Sequence, residues 1–324
     1  MIVITGGAGF IGSVLLWKLN ESGEKDILLV DQKAENSPKW DNIKKHAFAH
    51  YLESDEFITH LEAGKFDQKI SAVFHMGACS DTTQPDKAYL RQNNSEYSER
   101  IAKWCLANNV YLGYDSSAAT YGDGELGFSD EDALTPRLKP LNPYGRSKLD
   151  FDIWILKNKL ENRVTGFRFF NVYGPNEYHK GAMRSLVHKG FEQVMQTGKL
   201  KLFKSYRKEY ADGGQKRDFV YVKDAVEAML WFYRHPDKKG ILNLGQGHAE
   251  SWNDLAHALF KACGKPVNIE YIEMPDKLKN QYQYFTQSDL SKLKNAGCPV
   301  SFRNLDKGVE DYVKNYLEKP HPYL

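Results

Sequence analysis

Short apolar runs alternate along the chain with longer stretches in which apolar residues return every three or four positions. Ile2-Val3-Ile4-Thr5 leads into a glycine-rich turn from Gly6 to Gly12 and a helix-like stretch through Leu19. Ile27-Leu28-Leu29-Val30 ends in Asp31, and further runs stand at Ala72-Val73-Phe74, Val110-Tyr111-Leu112-Gly113-Tyr114 and Val164-Thr165-Gly166-Phe167. Between them, Glu96 to Asn108 carries Tyr97, Ile101, Trp104 and Cys105 at helical spacing. Continuous apolar strands are buried on both faces, so this alternation predicts an α/β fold built on a parallel sheet. Right-handed crossovers make it a doubly wound, Rossmann-type sheet.

After about residue 170 the rhythm loosens. Tyr206 to Gln215 is polar and reads as a surface loop. Phe219-Val220-Tyr221-Val222 and Ile241-Leu242-Asn243-Leu244 return to strands, joined by a helix from Val226 to Tyr233. The expected division is a dinucleotide-binding domain over 1–170 and 219–245, with a smaller, discontinuous substrate domain over 171–218 and 246–324.

Composition narrows the field. A chain of 324 residues with 41% hydrophobic and 27% charged residues can bury a core without disulfides or metals. A net charge of +2 carries no global signal for nucleic acid. Cys79, Cys105, Cys263 and Cys298 are scattered without metal-binding or redox spacing, so reduced thiols and a cytoplasmic location are expected. No apolar run approaches a membrane span, and the first strand starts where a signal peptide would stand.

Gly6, Gly9 and Gly12 fall between a predicted strand and a predicted helix. A dinucleotide site needs glycines there for the tight turn, for backbone approach to a pyrophosphate and for close helix packing. The helix start adds unpaired N–H groups and a partial positive charge. Three glycines alone also fit a plain turn. Asp31, ending the second strand, adds an acid placed to accept from an adenosine ribose. A carboxylate there favours NAD, whereas Gln32, Lys33 and Lys39 supply hydrogen bonds and charge suited to NADP. On these residues both cofactors stay open.

Pro143 opens a helix that places Tyr144 and Lys148 one turn apart, with Cβ atoms about 5–6 Å from each other. A free phenol, with a pKa of about 10, is a poor base at neutral pH; bringing it to about 7 takes roughly 4 kcal/mol. A neighbouring ammonium and a positive nicotinamide ring both push in that direction. Ser117 follows a predicted strand end and is placed to hydrogen-bond the reacting oxygen. A lone Tyr-x-x-x-Lys is usually a surface coincidence; downstream of the glycine turn and the serine it reads as chemistry.

With these motifs the chain resembles the extended short-chain dehydrogenase/reductase family over nearly its whole length. The segments that carry the likeness are Ile4 to Ser13, Gly77 to Ser80, Ser116 to Gly122 and Phe167 to Pro175. His179-Lys180-Gly181, Lys216 to Val222 and Tyr282 to Gln287 extend it. The resemblance implies an ADP-linked heptose as substrate, tightly held NADP, and epimerisation at C6″ by transient oxidation and return of the same hydride. It implies a homo-oligomer, described as a pentamer in relatives, and neither a nucleic-acid nor a membrane partner.

By the same resemblance Tyr144 and Lys180 serve as two acid/base groups, with Ser117 beside them and no metal. Lys180 read without the family is an ordinary surface lysine. Phe10 and Ile11 cover the pyrophosphate turn; Met76, Gly77, Ala78, Cys79 and Ser80 line the cofactor. Asn93, Lys148, Val172 and Lys180 also face the cofactor. Asn171, Ala182, Lys189 and Tyr282 face the substrate, while Phe203, Lys204, Ser205, Tyr206 and Arg217 hold its diphosphate, a task that suits a guanidinium fork. Asn171 as a turn cap and Tyr282 as plain core are the bland alternatives. Departures from the family pattern fall at Ser54, where a lysine is usual near the cofactor phosphate, at Ala182, where a serine is usual, and at Lys189, where a histidine is usual.

Two rival enzymes share these features. Nucleotide-sugar dehydratases need an acid pair after the serine; Ala118 and Ala119 stand there and cannot move protons. A UDP-hexose 4-epimerase shares the serine, tyrosine and lysine but does not need Lys180. A non-catalytic NADP sensor keeps the glycine turn and commonly loses the tyrosine or the lysine, both present here.

Overall fold

The computed structural model describes residues 1–32, 37–66, 69–279 and 282–324; Lys33 lies outside them. Seven strands form the main sheet: β1 (Ile2–Thr5), β2 (Ile27–Asp31), β3 (His50–Glu53), β4 (Ala72–His75), β5 (Tyr111–Ser117), β6 (Thr165–Phe169) and, much later, β10 (Gly240–Leu244). Their spatial order is β10-β6-β5-β4-β1-β2-β3, and every pair is parallel. The helices between them are α1 (Phe10–Glu21), α2 (Ser54–Glu62), α3 (Lys87–Leu90), α4 (Tyr97–Ala107) and α5 (Pro143–Lys157). The order in which successive strands are added reverses between β1 and β4, which opens a crevice at the strand ends where doubly wound folds bind ligands.

The continuous apolar runs are explained by two cores. Along β1, Ile2 and Ile4 face one core with Leu15, Phe74, Phe167 and Met229. Val3 faces the other with Leu28, Phe57, Ile101, Leu112 and Ile155. Period-two geometry therefore demands an apolar residue at every position.

A second unit holds β7 (Asn171–Tyr173), α6 (Leu186–Thr197), β8 (Leu200–Phe203) and β9 (Lys216–Tyr221). Then come α7 (Val222–Arg234), which packs on α1, and β11 (Ala249–Ser251), α8 (Trp252–Ala262) and β12 (Ile269–Ile272). The run at 219–222 does not rejoin the large sheet as a strand. It pairs with β7 and β11 in a three-stranded sheet. The physical reason is its alternation: Phe219 and Tyr221 point into the core of the second unit, while Val220 points into the first. Return to the large sheet comes at β10. No described helix is long and apolar enough to cross a membrane.

Candidate active site

A cleft of about 1510 Å³ runs between the two units. Pockets for one small ligand hold about 300–1,000 Å³, so this one has room for two.

At one end the glycine turn forms its floor. Gly6 has φ 64°, and a Cβ on it would stand 2.6 Å from the Met76 carbonyl oxygen. A Cβ on Gly12 would overlap the Gly6 carbonyl oxygen. Only bare backbone fits here. Gly9 caps α1 without a side chain. The amides of Phe10, Ile11 and Gly12 then start the helix with no partner within it, and all three residues line the cleft. That arrangement fits a dinucleotide pyrophosphate.

Asp31 closes this end. One oxygen accepts from the Ala8 amide (3.0 Å), the other from the Gln32 amide (2.8 Å) and from Lys39 Nζ (3.0 Å). The lysine, partly exposed at the rim, offsets the charge that would repel a 2′-phosphate. Gln32, Lys39 and Ser54 all line the cleft, as do Met76, Gly77, Ala78, Cys79, Ser80, Asn93 and Val172. Beneath the loop after β4, His75 is buried between Thr5 (2.6 Å) and Ser98 (2.8 Å). Burial, reinforced by the Lys148 charge, pulls its pKa down to about 3, so it is neutral.

The middle of the cleft is built from β5 and α5. Asn142 caps α5 by accepting from the Gly145 amide (2.7 Å), and Pro143 starts it, which fixes Tyr144 in the first turn. Tyr144 is buried and lines the cleft, and Ser117, itself on the wall, stands close enough to act on the phenol. Lys148 does not reach the wall. Its ammonium, 3% exposed, pairs with Asp115 at 2.7 Å. Sequence arithmetic asked Lys148 to lower the tyrosine; in the structure the phenol lies above its ordinary value. Burial is the largest cause, Lys148 opposes it, and Asp115 adds to it. Lys148 itself is pulled down by burial but held above its ordinary value on balance, chiefly by Asp115.

The far wall belongs to the second unit. Lys180 stands on the helical turn Tyr178–Met183, whose Gly181 has φ 54°. Its ammonium lies 5.1 Å over the Phe10 ring. Burial drives its pKa below the lysine range; Glu177 opposes this and Lys189 adds to it. His179, next to it, meets Asn42 at 3.1 Å; burial first, then Lys39 and Lys180, bring it down to about 4. Lys180, Asn171, Lys189, Phe203 and Tyr282 line the cleft with Tyr144 and Ser117.

Several expected contacts lie elsewhere. Ala182 is exposed and gives its carbonyl to Lys189 Nζ (2.9 Å). Lys204 pairs with Glu273 (2.7 Å), Tyr206 donates to the same carboxylate, and the Ser205 amide donates to Asp212 (2.7 Å). These three do not line the cleft. Neither does Arg217, which is buried behind the wall 5.1 Å from the Tyr282 ring and 5.7 Å from Trp252. Among the described residues it donates to the Lys216 and Gln283 carbonyls, and burial lowers its pKa. Trp252, whose indole donates to the Tyr282 hydroxyl (2.7 Å), was not read from the sequence. Nor was Asp115, although it lies two residues before Ser117 in β5 and so shares its face.

A nucleotide crevice joined to a serine, a tyrosine and two lysines defines a class of sugar-modifying redox enzymes, and the sequence comparison agrees: the chain belongs to the NAD dependent epimerase/dehydratase family, matching it over residues 2–245. Among individual proteins, the chain is similar to an ADP-L-glycero-D-manno-heptose-6-epimerase of Nitratidesulfovibrio vulgaris (strain DP4), with 48% identity over the full length of both. It is 45% identical, again over the full length of both, to the enzyme of that name from Fusobacterium nucleatum. The crystal structure of the Helicobacter pylori enzyme of that name superposes with a TM-score of 0.79 at 26% identity, covering 97% of this chain and 95% of the other.

Proposed function

We propose that this chain converts ADP-D-glycero-D-manno-heptose to ADP-L-glycero-D-manno-heptose by inverting C6″, using NADP, in the cytoplasm and as a homo-oligomer. Its product would supply heptose for a lipopolysaccharide core. The observation that carries the reading is the placement of Tyr144 and Lys180 on one cleft from two different units. An enzyme that presents both faces of one carbon to the same chemistry needs a proton-handling group for each. The names of the full-length relatives support the choice of sugar.

When bound, a nicotinamide dinucleotide supplies a hydride acceptor that later returns the same hydride. Tyr144 takes the proton of the C6″ hydroxyl while Ser117 holds the oxygen by hydrogen bond. After the ketone turns over, Lys180 gives a proton to the oxygen in its new position, and both groups re-equilibrate with solvent. Burial suits Lys180 to this task by bringing its pKa toward neutrality. In this division the first unit, 1–170 with 222–245, holds the dinucleotide, and 171–221, which includes β9, with 246–324 hold the sugar nucleotide. Lys39, by neutralising Asp31, supports NADP over NAD. Incubation with ADP- and UDP-linked sugars tests the reading. Interconversion of the two ADP-heptose epimers, with no net change in reduced-cofactor absorbance, is expected. Conversion of UDP-hexoses alone would overturn it.

A further inference from the structure

We infer that Asp115 is a positioning residue for Tyr144: it anchors the Lys148 ammonium beside β5 and leaves the phenol facing an ion pair in place of a lone cation. The inference rests on Tyr144 being the acid/base group proposed above. The carboxylate is 17% exposed and holds Lys148 at 2.7 Å through one oxygen; its other oxygen is buried and has no hydrogen-bond partner. A second carboxylate, Asp152, stands one turn beyond Lys148 on α5. It is already committed to Arg168 (2.9 Å), Ser116 (2.9 Å) and Tyr114 (3.0 Å). Lys148 is therefore left to Asp115.

Four groups act on the phenol from the elements around it: Lys148 from α5, Asp115 and Ser117 from β5, and Cys79 from the loop after β4. Lys148 and Ser117 favour the phenolate, while Asp115 and, more weakly, Cys79 oppose it. Of the two opposing groups, only Asp115 also holds the lysine. A carboxylate whose sole role was to make burial of Lys148 tolerable would affect folding; one acting as inferred also sets where Tyr144 ionises.

The test is an ultraviolet difference titration of the NADP-loaded protein, with the Tyr144→Phe spectrum subtracted in each background. Asp115→Asn should move the Tyr144 midpoint down by about one pH unit or more. The acid limb of kcat for ADP-heptose should move with it, while Asp115→Glu stays near the parent. An unchanged or raised midpoint in Asp115→Asn would overturn the inference. If that variant fails to fold, Lys148→Met and Lys148→Met/Asp115→Ala decide. The midpoint should lie higher in the single variant than in the double, and equal midpoints would contradict the assignment. Absence of ADP-heptose conversion by the parent protein would defeat the proposed function, yet the titration would still decide the role of Asp115.

Discussion

The two sides of the cleft handle charge in opposite ways. On the large-sheet side every buried charge described near the chemistry has a partner: Lys148 has Asp115, Arg168 has Asp152, and Asp31 has Lys39. On the other side three cations, Arg217, Lys189 and Lys180, have no carboxylate at ion-pair distance among the described residues, although Arg184 pairs with Glu192 (2.7 Å). Among the described residues Arg217 donates to two carbonyls and Lys189 to one, and Lys180 lies over an aromatic ring. A paired charge is finished with its electrostatic work and holds shape. An unpaired buried cation is costly on its own and gains most when an anion arrives. On the proposed function, the first side holds a cofactor in one geometry and the second receives a diphosphate-bearing substrate.

The largest effect that would break this comparison is expected at Tyr144. Tyr144→Phe should cut turnover by about 10³–10⁴-fold, at the upper end for a lost general acid/base, with NADP still copurifying. Steady-state rates beside cofactor content would check this. Lys180→Met should follow, losing about 10²–10³-fold in epimerisation with cofactor retained. Parent-like rates would leave a one-base enzyme and favour the 4-epimerase reading.

Arg217→Gln sharpens the contrast on the substrate side. Standing behind the wall, Arg217 reaches the substrate side through Tyr282, so its loss should raise KM for the ADP-sugar by about 10-fold, with a smaller change in kcat. A change confined to kcat would remove Arg217 from diphosphate binding. Smaller still, Lys39→Ala should weaken NADP by about 5-fold relative to NAD, as expected for a partly exposed charge pair; calorimetric titration of both dinucleotides would read it.

The same architecture sets an acid limit. Burial lowers His75 to about 3 and His179 and His188 to about 4. Each of these depressed histidines binds fewer protons folded than unfolded, so stability falls as pH drops below about 6.5 toward those values, by about 1.4 kcal/mol per pH unit per fully shifted group. Asp130, raised to about 6 by burial, works the other way, as do Asp115, Glu177, Asp218, Asp224 and Glu250, all raised by burial. Imidazole proton shifts followed by NMR between pH 7 and 5 should stay constant for these three rings; a midpoint near 6.5 would show that they are not held neutral.

What could be read in the sequence was what is local. Gly6, Gly9 and Gly12 share one turn, and Tyr144 and Lys148 share one helical step, so spacing alone places them. The substrate side is assembled from segments more than sixty residues apart: Arg217 meets Tyr282 and Gln283 from β9, and no periodicity links them. The strand at 216–221 misled because its apolar run serves two cores at once. Lys204 and Tyr206, assigned to a diphosphate, are turned to Glu273 at the surface, where ion pairs form and exchange at little cost. Asp115 was legible in principle, since strand alternation puts it beside Ser117, but an acid in an apolar run carries no motif of its own.

Hydride return within one active site is the claim on which the rest depends. The direct measurement is turnover of ADP-D-glycero-D-manno-heptose in heavy water, with the product followed by proton NMR. The expected product is the L-glycero epimer with a proton still on C6″. Deuterium at that carbon, or no inversion at all, would contradict the account.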